Sequence, residues 1–458
     1  MKVLIIGGGI SGLSAAYHLQ KLNLPAQITL IEKEKRLGGK IETVCQNGFI
    51  IETGPESLVS YKPEAIHLCQ ELGLSSDIIH SIPENRKTSL YFNGKLIPLP
   101  EGIFSAFSAP AAQTVKALLK TPLLSPVGKL RMGLEPFIPA KKLEEDETAG
   151  SFFARRLGKE FFENLISPFL SGIYGGDPEN LSMKSILPTF YSAEKKYGSF
   201  LKAIRANKKQ KLPAEQTSPF VSLKNGLGSL VAKLSDSLIN VSVEQGKIAL
   251  SIRKNVKRYQ VTLNTGETLE ADIVLLTAPV QISGKLLKEI DPKLSDLLQE
   301  IPCSSASVIT FGFNEKDLTP PLNSYGFLIS RKENLPILAC TLSSNKWEGR
   351  APDGKFLMRF YANTILDDPK KITQLIFKHL DSVFKIKKDP ELFLVHSHPR
   401  VMPEYRVYHQ KKLEQIQTLL SNHKGLFLAG NAFQGIGISD CIQSGIKAAE
   451  QIYQFLPK

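Results

Sequence analysis

The chain has 458 residues, 42% of them hydrophobic and 22% charged, with 33 Gly and 28 Pro. That composition belongs to a folded chain with a large core and excludes intrinsic disorder, collagen and coiled coil; the length suits two or three domains. Lys and Arg outnumber Asp and Glu by 57 to 44, a net charge of +13, which favours anionic partners: a carboxylate or phosphate ligand, an anionic lipid or a nucleic acid.

Residues Lys2–Ile6 form an apolar, β-branched run, Gly7-Gly8-Gly9-Ile10-Ser11-Gly12 follows as GxGxxG, and Leu13, Ala16, Tyr17 and Leu19 repeat at helical spacing. The pattern predicts strand, turn and helix. A second strand over 28–31 ends in Glu32, which lies 20 residues past Gly12. An acid there accepts hydrogen bonds from a ribose, while glycine main chain and a helix N-terminus hold a pyrophosphate, so dinucleotide binding is expected. The apolar N-terminus reads as structure rather than a signal peptide, because it carries three consecutive Gly and continues into a polar helix. No apolar stretch free of Pro and charge is long enough for a transmembrane helix. After Glu32, the stretch from Lys33 to Lys40 sets Gly38-Gly39 and a cation beside the same site. This arrangement resembles the second glycine signature of flavin enzymes in the amine oxidase and phytoene desaturase superfamily.

Next come the cations Arg86 and Lys87, a strand over 90–92 and an Asn93-Gly94 turn. Residues 98–139 hold seven prolines with Ile103, Phe104, Phe107, Leu118, Leu119, Leu123 and Leu124; over 100–142, six Lys or Arg oppose two Glu, a net of +4. Short amphipathic helices of this kind suit the headgroups of an anionic bilayer. The same pattern also suits a helical domain whose apolar face is internal core. The basic tract Lys202, Arg205, Lys208, Lys209 and Lys211 lacks interleaved aromatics, so a solvated loop rather than a nucleic-acid site is expected. Strands are predicted over 307–313 and 356–362, with a helix over Pro369–Phe384. At the end, a strand over 426–429 enters Gly430-Asn431 and the loop Gly435-Ile436-Gly437-Ile438-Ser439-Asp440-Cys441, before a helix over 442–455. A second glycine loop against a helix N-terminus suits a ribityl chain and a flavin ring. The five cysteines, Cys45, Cys69, Cys303, Cys340 and Cys441, form no CxxC pair; neither a disulfide framework nor a zinc site is expected, and a reducing compartment fits.

Six segments carry a closer resemblance: GGGISGLSAAYHL, GPES at Gly54 to Ser57, TAGSFFARRLG from Thr148, SPFLSGIYGGDPENLSM from Ser167, ACTLSSNKWEGRAPDG from Ala339 and AGNAFQGIGISDCIQSG from Ala429. Along nearly its whole length the chain resembles the bacterial FAD-dependent protoporphyrinogen and coproporphyrinogen oxidases of haem synthesis. The resemblance implies a mixed α/β fold: a Rossmann-like FAD-binding domain of the p-hydroxybenzoate hydroxylase type, a substrate domain, and a helical subdomain in contact with a membrane. The expected FAD segments are 1–80, 218–285 and 395–458. The substrate domain is expected over 81–97, 186–217 and 286–394, and the helical subdomain over 98–185.

Carried over by residue, the resemblance assigns FAD contacts to Gly7, Gly8, Gly9, Ile10, Ser11, Gly12, Glu32, Lys33, Lys40, Gly54, Pro55, Glu56, Ser57, Gly437, Ile438 and Ser439, with a main-chain contact to adenine from Ile248. Two positions depart from the family pattern. His398 stands where a Trp is usual before Met402-Pro403-Glu404-Tyr405, so an imidazole would stack on the flavin, act as a base, or serve as a packing residue. Ser439 stands where a Pro is usual, which alters a turn.

For substrate, Arg86 and Lys87 lie where the resemblance implies an Arg gripping a propionate; Lys346 beside Trp347 is a further candidate. The glycine-rich stretch 172–176, read as a flexible loop, would bring a Gly172 carbonyl to pyrrole N–H groups. The expected reaction removes six electrons and six protons from a porphyrinogen, with hydride transfer to FAD N5 and release of H2O2 from O2. No obligatory nucleophile or metal is expected, and no catalytic side chain is nominated. Cys441 lies out of register for covalent flavin attachment. The competing readings are a flavin amine oxidase or carotenoid desaturase, and a noncatalytic flavin or haem-precursor carrier. A cytoplasmic location, peripheral on the inner face of the cytoplasmic membrane, and a ferrochelatase-type pathway partner complete the expectation.

Overall fold

Short apolar runs with no room for polar side chains make strands buried on both faces. Lys2–Ile6 and Ile273–Leu276 are such strands, and they lie inside a five-stranded parallel sheet in the order Val241–Gln245, Gln27–Glu32, Lys2–Ile6, Ile273–Leu276, Leu426–Leu428. The computed structural model describes residues 1–100, 111–141, 146–206, 218–319, 324–366 and 368–456. By internal contacts the chain divides into two units: Met1–His80 with Pro219–Cys303 and Gln410–Lys458, and Ser81–Ser218 with Ser304–His409.

In the first unit the two-residue period of the central strand splits its side chains between two cores. Val3 and Ile5 join the helices Ile10–Lys21, Gly228–Asp236 and Ile438–Phe455, whereas Leu4 and Ile6 join a small antiparallel sheet and the helix Pro292–Gln299. Each such aliphatic side chain contributes about 1.5–3 kcal/mol on burial. Asp291 caps Pro292–Gln299, accepting from Leu294 N at 3.0 Å with Pro292 at the first helical position. Because Leu294, Leu298 and Ile301 are buried beside Leu4 and Ile6, this unit runs to Cys303 rather than 285. The chain leaves the central strand toward Gln27–Glu32 on one side and later fills Ile273–Leu276 on the other. Such a switch point marks the ligand crevice of an open α/β sheet.

The second unit holds a seven-stranded sheet in the order Leu392–Pro403, Cys303–Asn314, Lys355–Ala362, Ile337–Thr341, Ser324–Ile329, Lys87–Phe92, Lys95–Pro98. Its apolar face, with Ile309, Phe311, Met358 and Phe360, is covered by Pro369–Phe384 through Ile372, Ile376, Leu380 and Phe384, a stripe at four-residue spacing. Asp368 caps that helix, accepting from Lys370 N and Lys371 N. The strand Leu392–Pro403 is an edge of this sheet, so residues 395–409 belong here and not with the nucleotide segments. The helices between 111 and 206 fall in the same unit. Among them Arg156 is fully buried, hydrogen-bonded to Glu135 and to the Gly198 carbonyl, while Arg155 pairs with Glu147 at 2.7 Å and Glu194 at 2.8 Å. Ile103, Phe104, Phe107, Lys208, Lys209 and Lys211, singled out from sequence, lie outside the described residues.

Candidate dinucleotide site

After Ile6 the chain turns through Gly7 at φ +116°, and the Thr277 hydroxyl donates to Gly7 O at 2.7 Å. The glycines that follow serve different ends. A Cβ on Gly12 would fall 2.0 Å from Gly7 O, so Gly12 lets the helix pack onto the turn. A Cβ on Gly8 would meet Leu37 and Glu32, whereas one on Gly9 would meet nothing within 4 Å. Gly9 is the residue preceding the first helical turn, in extended backbone that any residue adopts (φ −72°, ψ 176°). Its missing side chain therefore leaves an open cradle before a helix N-terminus, the shape and polarity a pyrophosphate requires. Ile10 and Ser11 are buried in that first turn.

Glu32 ends the second strand, buried, with Oε2 accepting from Gly8 N at 2.6 Å and Oε1 from Glu34 N at 2.9 Å. A carboxylate has about four acceptor positions, so ribose hydroxyls can still donate to it. The second glycine pair lies against the first: Gly38 N donates to Gly8 O at 2.8 Å, and a Cβ on Gly39 would sit 3.2 Å from Gly9 Cα. Arg36, not singled out from sequence, holds this turn by donating to Gly39 O at 2.8 Å while pairing with Glu42 at 3.1 Å. Its neighbour Lys33 is exposed and paired with Glu34 at 3.1 Å. Lys40 is half-buried; burial holds its ammonium below the ordinary lysine value, with the Cys441 and Cys303 thiols opposing that shift. A Cβ on Gly54 would lie 2.1 Å from Lys40 O, so the glycine brings the segment through Pro55, Glu56 and Ser57 against this loop. Ser222 Oγ fixes it further, donating to Glu56 O at 3.1 Å.

The turn at 246–248 packs on the same acid: Lys247 N donates to Glu32 O at 2.9 Å and Gly246 N to Glu34 O at 3.1 Å. Ile248 is thereby placed on the ribose side, but its N–H donates to Asn264 Oδ1 at 2.9 Å and its carbonyl accepts from Asn264 N at 2.9 Å. Its carbonyl's second lone pair is what remains for an adenine. At the C-terminal glycine loop, Gly437 caps a helix that starts at Ile438, four residues earlier than the sequence pattern suggests. The reason is Asp440, whose Oδ2 accepts from Gly437 N at 3.2 Å and turns Ser439-Asp440-Cys441 into the first helical turn. Ser439 is buried, donating to Lys62 O at 3.0 Å. Cys441 is buried against Ser11, and burial pushes its thiol up to about 11. Thr277, Arg36 and Lys62 were missed in the sequence, where only the glycines and acids around them gave a signal.

The remaining candidates lie in the second unit. His398 is on the edge strand Leu392–Pro403. Arg86 and Lys87 are exposed, and Arg86 bridges to Ser324. The turn before them is tied to the segment carrying Lys346: Ile82 N donates to Lys346 O at 3.0 Å and Asn85 Nδ2 to Asn345 O at 2.7 Å. Lys346 is buried, its ammonium 5.1 Å from the Trp347 ring centroid. The stretch 172–176 is not a flexible loop. Gly172 lies in the last turn of the helix Ser167–Tyr174, which Gly175 terminates at φ +65°, and a Cβ on Gly172 would lie 3.0 Å from Leu328. Last-turn carbonyls lack intrahelical donors. Arg86, Lys87 and Gly172 thus flank one strand, Ser324–Ile329.

The fold and the facing glycine turns define a dinucleotide-binding protein of the flavoprotein kind. The chain matches the flavin containing amine oxidoreductase family over residues 10–453 and belongs to it. It is 34% identical to the coproporphyrinogen III oxidase of Bacillus subtilis, covering 99% of this chain and 98% of that protein. It is 33% identical to the coproporphyrinogen III oxidase of Staphylococcus aureus, with 98% of each covered. A crystal structure from Exiguobacterium sp. 255-15, of a protein assigned as a protoporphyrinogen oxidase, superposes with a TM-score of 0.87 at 28% identity, covering 99% of both chains. The chain is an FAD-dependent oxidoreductase.

Proposed function

We propose that the chain oxidises a porphyrinogen to the porphyrin, and that the cradle at Gly9 holds FAD for this purpose. The full-length identity to coproporphyrinogen III oxidases carries the reading. When bound, the flavin supplies the redox chemistry, taking hydride equivalents from the macrocycle and passing electrons to O2 as H2O2, over three turnovers for six electrons. Gly9, Ile10 and Ser11 present the helix N-terminus to the pyrophosphate, Glu32 accepts from the ribose, and Lys40 adds positive charge. Gly437, Ile438 and Ser439 present a second helix N-terminus to the ring. Arg86, Lys87 and Lys346 supply cations for peripheral propionates, and the Gly172 carbonyl, at a helix C-terminus, accepts from pyrrole N–H groups.

The test is aerobic incubation of the purified yellow protein with coproporphyrinogen III and, separately, protoporphyrinogen IX. Porphyrin fluorescence should rise with three H2O2 released for each porphyrin formed, one for every two electrons removed; no porphyrin from either substrate would overturn the reading.

A second observation favours attachment to an anionic membrane surface. On the helix Pro126–Gly133 and the turn after it, Val127, Leu130 and Phe137 are 75%, 69% and 81% exposed, beside Lys129. Apolar tips flanked by cations bind headgroup regions. Among the described residues no helix is long and apolar enough to cross a membrane. Flotation with vesicles containing anionic lipid, lost in Leu130→Asp/Phe137→Asp, tests the attachment.

A further inference from the structure

The ion pair between Lys62 and Asp440 is built into the C-terminal helix cap more firmly than a surface pair. Both Asp440 oxygens accept from Lys62 Nζ, at 2.6 and 2.7 Å, while Oδ2 also accepts from Gly437 N. A Cβ on Gly435 would lie 2.5 Å from Asp440 Cγ, so the carboxylate is wedged between that glycine and the lysine. The main chain of Lys62 is held as well. Ser439 Oγ donates to Lys62 O at 3.0 Å and accepts from Ala65 N at 3.4 Å, and Lys62 N donates to Val59 O at 3.2 Å. Ser439 thus supplies a clamp that a proline at this position, lacking a hydroxyl, could not.

The helix crosses the pyrophosphate side of the site at Gly445, where a Cβ would lie 2.2 Å from Ser11 O. Gly437 is eight residues earlier, about 12 Å along the helix at 1.5 Å per residue, so its N-terminus stands well away from the pyrophosphate cradle. Asp440 puts a full negative charge on that end. Reduction adds negative charge to a flavin, so an uncompensated carboxylate there opposes it, and a fixed ammonium cancels the opposition.

We propose that Lys62 is a positioning residue that neutralises Asp440 and so sets the reduction potential of the flavin. The proposal rests on the reading that the ring lies at the N-terminus of the C-terminal helix. Lys62→Met leaves the carboxylate uncompensated and lowers the potential by about 30 mV, on the order of tenfold in the equilibrium between oxidised and reduced flavin. Asp440→Asn keeps an acceptor for Gly437 N, leaves the ammonium uncompensated and raises the potential by a similar amount. The double variant returns close to the parent, and Lys62→Arg stays with it.

The measurement is the midpoint potential of the FAD-bound protein by equilibration with redox dyes, which needs no porphyrinogen. Shifts of opposite sign in the two single variants support the proposal. A purely structural clasp would move both in the same direction or leave both unchanged, and either result overturns it. Failure of the parent protein to oxidise porphyrinogens, with the potentials still split, would instead remove the substrate reading alone; a parent that retains no FAD would overturn the placement and the proposal together.

Discussion

In the proposed function the two units meet their ligands with different kinds of atoms. Around Gly9 the groups on offer are main-chain N–H groups and carbonyls, ordered by glycines whose absent Cβ atoms either permit close packing, as at Gly12, or leave space, as at Gly9. Around the strand Ser324–Ile329 they are side chains: exposed Arg86 and Lys87, and Lys346 buried beside Trp347. Main-chain recognition needs only the right φ/ψ and room, so one short motif encodes it. Side-chain recognition needs partners that tertiary contacts bring together, such as the 82–86 turn tied to Asn345 and Lys346.

The sharpest break in this contrast is at Gly9. Gly9→Asp puts a carboxylate in the cradle without a backbone conflict, and we expect a folded protein that has lost FAD by at least a hundredfold in affinity, read from flavin absorbance alongside circular dichroism. Gly12→Ala should behave differently, because its Cβ would strike Gly7 O: the turn itself fails and soluble yield falls. Flavin content that survives Gly9→Asp would remove the main-chain account. Glu32→Ala comes next. It deletes a buried acceptor of Gly8 N and Glu34 N, and a charge-assisted hydrogen bond contributes roughly 1.5–3 kcal/mol. FAD affinity should fall by about ten- to a hundredfold in a fluorescence titration.

In the other unit, Arg86→Ala/Lys87→Ala tests the side-chain account. Exposed cations bind ground state and transition state alike, so KM for coproporphyrinogen III, with four propionates, should rise about tenfold and more than for protoporphyrinogen IX, with two, while kcat holds. Equal small effects on both substrates would take these residues out of the site.

The smallest effect is on the frame that aligns the first unit's central strand. Asp272 accepts from Lys2 N at 2.7 Å and pairs with Arg258 at 3.0 Å; the Lys2 amide first, then the guanidinium, hold its carboxyl below the usual aspartate value. A depressed acid stabilises the folded state above its unfolded pKa of about 3.9, and that contribution is lost as pH falls through the lower folded value. Asp272→Asn should therefore lower stability by about 1 kcal/mol at pH 7. The gap to the parent protein should close as pH falls through the folded value, below the unfolded one, as measured by urea unfolding across the pH range.

Local pattern was enough for the strand Lys2–Ile6, the GxGxxG turn, the acid at Glu32 and the helix Pro369–Phe384, because each is set by spacing within a few residues. It was not enough where a distant group intervenes. The C-terminal helix begins at Ile438 because Asp440 bonds back to Gly437 N while Lys62, far off in sequence, neutralises it. The stretch 172–176 looks like a loop by glycine content, yet packing of Gly172 on Leu328 accompanies a helix that continues to Tyr174. The resemblance implies a main-chain contact to adenine from Ile248, and only the structure shows that Asn264 takes its amide. Residue spacing and main-chain geometry were enough for the strands beside the glycine turns and for the turns themselves, while the family was legible as a resemblance carried by six segments. Only the tertiary structure decided that the helix Pro292–Gln299 joins the first unit and the strand Leu392–Pro403 the second. Which apolar faces a segment buries depends on partners that its own residues do not name.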